Sequence, residues 1–140
     1  MQDRGFKMTA SKTSPFPAGK LSGLRVLVAE DNWVNADTMS VILEEEGATV
    51  VGPSSTAAAS IELVRTEATD FALVDMSLSD AFADSLAAEL KQRSIPFAII
   101  TAYRTLPTDA DAHAEAVLHK PVSAKAIVDV ISRWQMRRSQ

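Results

Sequence analysis

The sequence predicts an α/β domain built on a five-stranded parallel sheet covered on both faces. Two observations lead there. Five short apolar runs alternate with segments of helical spacing, and three of those runs are continuously apolar, as strands buried on both sides tend to be. With 140 residues, 46% of them hydrophobic, the chain is long enough for one continuous core and too short for two ordinary domains.

Residues 1–20 (MQDRGFKMTASKTSPFPAGK) are rich in Ser, Thr, Pro, Gly and Lys and read as a flexible leader; the folded unit is expected over 21–140. The strand candidates are Val26–Ala29, Thr49–Val51, Phe71–Val74, Phe97–Ile100 and Ala116–Leu118. Between the first two, Ala36, Met39 and Leu43 share one face of a helix that starts at the capping side chains of Asp31–Asn32 and stops at Gly47. Thr56 caps a second helix with Ala57, Ile61, Val64 and Ala68 inward, and Phe82, Leu86 and Leu90 mark a third. Between the fourth and fifth strands only a short polar segment, Thr108–Glu115, stands where a full helix would fit, so the fourth helix is expected to be shortened or irregular. The last helix follows a Ser123 cap with Ile127, Val130, Ile131 and Trp134 at i, i+3, i+4 and i+7.

Charge and composition narrow the function. Residues 1–20 have a net charge of +3 and residues 21–140 of −7, so the folded part would repel a phosphate backbone and nucleic-acid binding is not expected. Cysteine is absent, which excludes disulfides, thiolate metal sites and thiol nucleophiles and suits the cytoplasm. No apolar run approaches the roughly 18 residues of a membrane span, and no secretory signal is evident. Neither a dinucleotide fingerprint nor a P-loop occurs, so any site must be made of side chains.

In open α/β sheets the ligand crevice lies beyond the carboxyl ends of the strands. Here those ends offer Glu30-Asp31 after the first strand (LRVLVAEDN), Asp75 after the third (FALVDMSLSD), Thr101 after the fourth (FAIITAY) and Lys120-Pro121 after the fifth (VLHKP). Adjacent carboxylates repel unless something positive compensates them. Glu30, Asp31 and Asp75 suit a hard divalent cation such as magnesium, or manganese, which takes oxygen ligands and often relies on only a few carboxylates. A strand-end carboxylate is also a competent nucleophile toward phosphorus once the incoming charge is neutralised, for which Lys120 and the cation are available; the Thr101 hydroxyl can hydrogen-bond a phosphoryl oxygen.

Taken in this order and spacing, these residues resemble the receiver domain of two-component response regulators over about residues 24–137. The resemblance implies a flavodoxin-like (βα)5 sandwich, Asp75 as phosphoacceptor, Thr101 as the switch residue, and the backbone carbonyl of Ser77 as a further metal ligand. It also implies a sensor histidine kinase or histidine phosphotransferase as donor, docking on the first helix between Asn35 and Leu43. Such a domain catalyses only its own phosphorylation and dephosphorylation. With no second domain after Trp134, a stand-alone receiver is expected, its output being protein contact, phosphorelay or a phosphate sink. A finer resemblance is to FAT GUY receivers, whose fourth strand runs Pro-Phe-x-Phe-Ala-Thr-Gly-Tyr: Pro96, Phe97, Thr101 and Tyr103 match, whereas Ile99, Ile100 and Ala102 depart. Val117 stands three before the lysine, where a switch aromatic usually sits, so Tyr103 is the candidate replacement.

Other readings of the same residues exist. An acidic pair can simply complement a helix dipole, a lysine stem can cover apolar surface, and Tyr103 can be a packing residue. Trp33 could gate the pocket or pack, and His113 and His119 lack the spacing of a helical metal pair. A haloacid dehalogenase type of phosphatase would need a second Asp two residues after the nucleophile, where this chain has Ser77. The alternative to a phosphorylated receiver is a pseudo-receiver that binds partners without phosphorylation.

Overall fold

The five apolar runs form the strands, each slightly longer than its apolar core: β1 Arg25–Ala29, β2 Thr49–Ser54, β3 Phe71–Asp75, β4 Phe97–Thr101 and β5 Ala116–His119. The computed structural model describes residues 19–139. Most of the expected leader therefore lies outside the described residues; at its end Lys20 N–H donates to Glu46 Oε1, and Leu21 is fully buried. All strand pairs are parallel, in the order β2-β1-β3-β4-β5. The connections from β1 lead outward to β2 and those after β2 lead back past β1 to β3, so the winding reverses between β1 and β3. At such a point the loops diverge and leave a crevice.

Helices α1 Trp33–Glu45, α2 Ala57–Thr66, α3 Asp84–Gln92 and α4 Ala124–Arg138 cover the sheet. A four-residue 3-10 helix, Ala110–His113, occupies the place of the expected irregular fourth helix. Side chains alternate across each strand with a period of two. Leu27, Ala29, Ala72, Val74, Phe97 and Ile99 join α2, α3 and the 3-10 helix in one core. Val26, Val28, Phe71, Leu73, Ala98 and Ile100 join α1 and α4 in the other, where Phe71 and Trp134 meet with ring centroids 5.3 Å apart.

Local signals explain most helix ends. Asn32, Thr56 and Ser123 each accept an N–H of the first turn of α1, α2 and α4. After α1, Gly47 takes a φ of +91°, and the N–H groups of Gly47 and Ala48 return to the carbonyls of Glu44 and Leu43. A Cβ at Gly47 would lie 2.6 Å from Ser22 Oγ.

Two expectations need correction. Phe82 has the right spacing for α3, but that helix begins at Asp84; Phe82 pairs instead with Ser77 in an isolated antiparallel bridge and is partly exposed. Ala68 is not inward, because α2 ends at Thr66 and Ala68 lies exposed beyond it, while Ser60 takes a buried position on the inner face.

Candidate functional site

Strand alternation places the acidic residues on one side of the crevice. Counting on from Val26 and Val28, from Phe71 and Leu73, and from Leu118, the next positions of the same parity are Glu30, Asp75 and Lys120, all on the α1 and α4 side. Lys120 Nζ lies 2.9 Å from Asp75 Oδ2 and 3.3 Å from Glu30 Oε1. One oxygen from each of Glu30, Asp31 and Asp75 lies within 4.8 Å of the others. Glu30 and Asp75 are 2% and 4% exposed, whereas Asp31 faces solvent. The cluster thus opens outward through Asp31.

Backbone donors fix the two buried acids. Asn32 N–H donates to Glu30 Oε2 at 3.0 Å and Ser77 N–H to Asp75 Oδ1 at 3.0 Å. Burial, then the hydrogen bond and charge of Asp75, push the Glu30 carboxyl up to about 7, against the opposing pull of the Asn32 N–H and Lys120. Burial works against the charge of Lys120, yet its hydrogen bond to Asp75 and the charges of Asp75 and Glu30 prevail and raise it above the ordinary lysine value. Glu30 Oε1 is buried and accepts no hydrogen bond; Lys120 serves it as a charge partner only. An all-oxygen cluster with a buried, unused acceptor fits a hard divalent cation.

The remaining predicted residues ring this cluster. Thr101, buried at the end of β4, accepts the N–H of Tyr103 on its Oγ1 at 2.9 Å. Tyr103 is partly exposed, its Oη 3.5 Å from Ser77 Oγ and its ring edge-on to Phe82 with centroids 6.4 Å apart. Trp33 is 79% exposed, so it does not pack into the core. His113 and His119 are exposed, and Val117 packs partly buried against the α2 and α3 side. Beside the cluster a cavity of about 390 Å³ runs between α1 and the start of α4, floored by Met39, Ile42, Val122 and Ile127. Sequence reasoning missed Phe82 as the partner of Tyr103; its helical spacing from Leu86 concealed that role.

Residues 26–132 match the family model described as the response regulator receiver domain. The chain belongs to this family. This receiver domain is 31% identical over 111 residues to the transcriptional regulatory protein PdtaR of Mycobacterium tuberculosis (strain CDC 1551 / Oshkosh), a match covering 76% of the chain and 54% of the relative. The chain spans about half the length of the curated relatives it matches. Among solved structures, the CheY-like receiver domain protein of Methanospirillum hungatei JF-1 superposes with a TM-score of 0.75 at 26% identity, covering 83% of this chain and 96% of that one. The receiver domain of the sensor histidine kinase PA1611 from Pseudomonas aeruginosa PAO1, which has a magnesium ion coordinated in its active site cleft, shares the fold with a TM-score of 0.70 at 23% identity, covering 81% of this chain and 98% of that one. Receiver domains are signalling domains of two-component systems, and no helix among the described residues is long and apolar enough to cross a membrane.

Proposed function

We propose that this receiver domain accepts a phosphoryl group on Asp75 from the phosphohistidine of a sensor histidine kinase or histidine phosphotransferase, in a magnesium- or manganese-dependent step. The observation that carries the reading is the contact of Lys120 with Asp75 inside a cluster of three acids. An oxygen of Asp75 attacks phosphorus, the phosphorus–nitrogen bond breaks, and its electron pair leaves on the donor imidazole. The product is an acyl phosphate. Glu30, Asp31, Asp75 and the Ser77 carbonyl are the residues that would hold the cation, which when bound neutralises charge on the phosphoryl oxygens. Lys120 then turns from the carboxylate to a phosphoryl oxygen and balances its charge.

Thr101 links the event to the surface. Because its Oγ1 accepts the Tyr103 N–H, its own hydroxyl proton remains available to a phosphoryl oxygen. Drawing Thr101 toward that oxygen disturbs the bond to Tyr103 and shifts the exposed Tyr103–Phe82 pair. Signalling is by protein contact, onward relay or removal of phosphoryl groups from a shared donor. Apolar surface at Trp33 and Val34, at the start of α1 beside the acids, supports donor docking there. The absence of cysteine supports a cytoplasmic setting.

Incubation with an autophosphorylated sensor kinase and magnesium tests the reading. Label should move to the wild-type protein and not to Asp75→Asn; label retained by the variant would overturn the assignment of the acceptor.

A further inference from the structure

Asp80 stands five residues after the acceptor, outside the acidic cluster, yet its carboxylate is fully engaged by a different part of the chain. Oδ1 accepts the N–H of Ala57 at 2.7 Å and Oδ2 the N–H of Ala58 at 3.2 Å. Thr56 Oγ1 accepts the third free N–H of the same helix, that of Ala59, at 3.0 Å, and the Ser60 N–H makes the first bond to the Thr56 carbonyl. The N-terminus of α2 is therefore satisfied by two side chains, one local and one brought from the loop after β3. Beside this contact Ser79 N–H donates to the Ser55 carbonyl at 3.0 Å. The same β2–α2 turn binds the end of β1, where Glu30 N–H donates to the Ser54 carbonyl at 2.9 Å.

We infer that Asp80 is a positioning residue that clamps the Ser77–Asp80 loop to the N-terminus of α2 and so fixes where the Ser77 peptide stands relative to Asp75 and Glu30. Leu78 anchors the loop by its buried side chain in the core on the α2 and α3 side, and the Ser77 N–H donates directly to Asp75 Oδ1, whereas the far end of the loop is tied through Asp80 and Ser79. Its internal bonds, Leu78 N–H to the Ala81 carbonyl and Ala83 N–H to the Met76 carbonyl, shape the turn but do not tie it to the rest of the site. The Asp80–α2 and Ser79–Ser55 contacts do, and they connect it to the turn that also holds Glu30. The bond from Ala57, above all, keeps the Asp80 carboxyl below its ordinary range, so the clamp is charged at neutral pH. The inference rests on the proposed role of Ser77 and Asp75 in holding a cation.

The test compares Asp80→Ala with Thr56→Ala. Asp80→Ala removes two acceptors from the N-terminus of α2 and Thr56→Ala one, but only the first loosens the loop, leaving the Ser79–Ser55 bond as its remaining polar tie to the β2–α2 turn. Manganese affinity, read by paramagnetic broadening of amide signals near Asp31, should fall roughly tenfold in Asp80→Ala, as for loss of an outer partner of a metal ligand. It should stay within about twofold of wild type in Thr56→Ala, while both variants melt earlier. Asp80→Asn, which keeps one acceptor, should recover most of the loss. Equal effects of Asp80→Ala and Thr56→Ala, or an unchanged affinity in Asp80→Ala, would overturn the inference. Failure of the wild-type protein to bind manganese would instead overturn the proposed function on which it rests.

Discussion

The ammonium of Lys120 sits between the carboxylates of Asp75 and Glu30, 2.9 Å from Oδ2 of the first and 3.3 Å from Oε1 of the second. In the metal-free protein it is the positive group among the described residues that holds two buried acids side by side. Its removal leaves like charges without compensation. Lys120→Met, which keeps most of the apolar stem, should lower the unfolding free energy by about 2 to 3 kcal/mol in urea titrations without metal. Adding Glu30→Gln should recover much of that loss, giving a coupling of roughly 1 kcal/mol or more in the double-mutant cycle.

Glu30 gives the protein a pH dependence opposite to that of a salt-bridged carboxylate. Its folded value near 7 lies above its ordinary 4.5, so between those values the native state binds the proton more tightly than the unfolded chain. The stability it contributes is therefore complete below about pH 4.5 and is lost as pH rises through 7. Metal-free Glu30→Gln should be more stable than wild type at pH 8, by about 1 to 3 kcal/mol, and lack this decline. Thermal melts at pH 6 and pH 8 with a chelator decide it; a wild-type protein that gains stability over that interval relative to the variant would contradict the environment assigned to Glu30.

The bond from Tyr103 N–H to Thr101 Oγ1 predicts a spectroscopic link between the pocket and the surface. Beryllofluoride with magnesium should shift the amide signals of Thr101, Tyr103 and Phe82. In Thr101→Ala the shift at Tyr103 and Phe82 should shrink, with magnesium binding preserved. A wild-type protein that does not respond would favour partner binding without phosphorylation.

Fold and site should separate under mutation. Ile131 on α4 is fully buried in the core on the α1 side and does not line the cavity beside the acids. Ile131→Ala should cost about 3 kcal/mol of stability. Below its melting temperature it should bind magnesium as wild type does, as isothermal titration can establish.

How far the sequence revealed this arrangement can be seen residue by residue. Asp75 was legible because Phe71–Val74 is unbroken apolar strand, which delivers the next residue to the rim of the sheet. Glu30 and Lys120 followed from the same rule, and their convergence needed only the reversal of winding beside β1. Phe82 misled because its i, i+4 spacing to Leu86 mimics a helix, while a bridge to Ser77 and the ring of Tyr103 hold it in the loop. Ala68 misled because α2 ends at Thr66, its last bond running from the Glu67 N–H to the Leu63 carbonyl. The partners of Asp80 lie 22 and 23 residues earlier in the chain, and no local pattern marks such a contact.

The central claim is that Asp75, backed by Lys120 and two further acids, is the group that takes up phosphate. Incubation with acetyl phosphate and magnesium, borohydride reduction of any acyl phosphate, and peptide mass spectrometry address it directly. The reduced aspartyl product should be found at Asp75, and only when magnesium is present. A product at another carboxylate, or unchanged labelling in Asp75→Asn, would contradict the account.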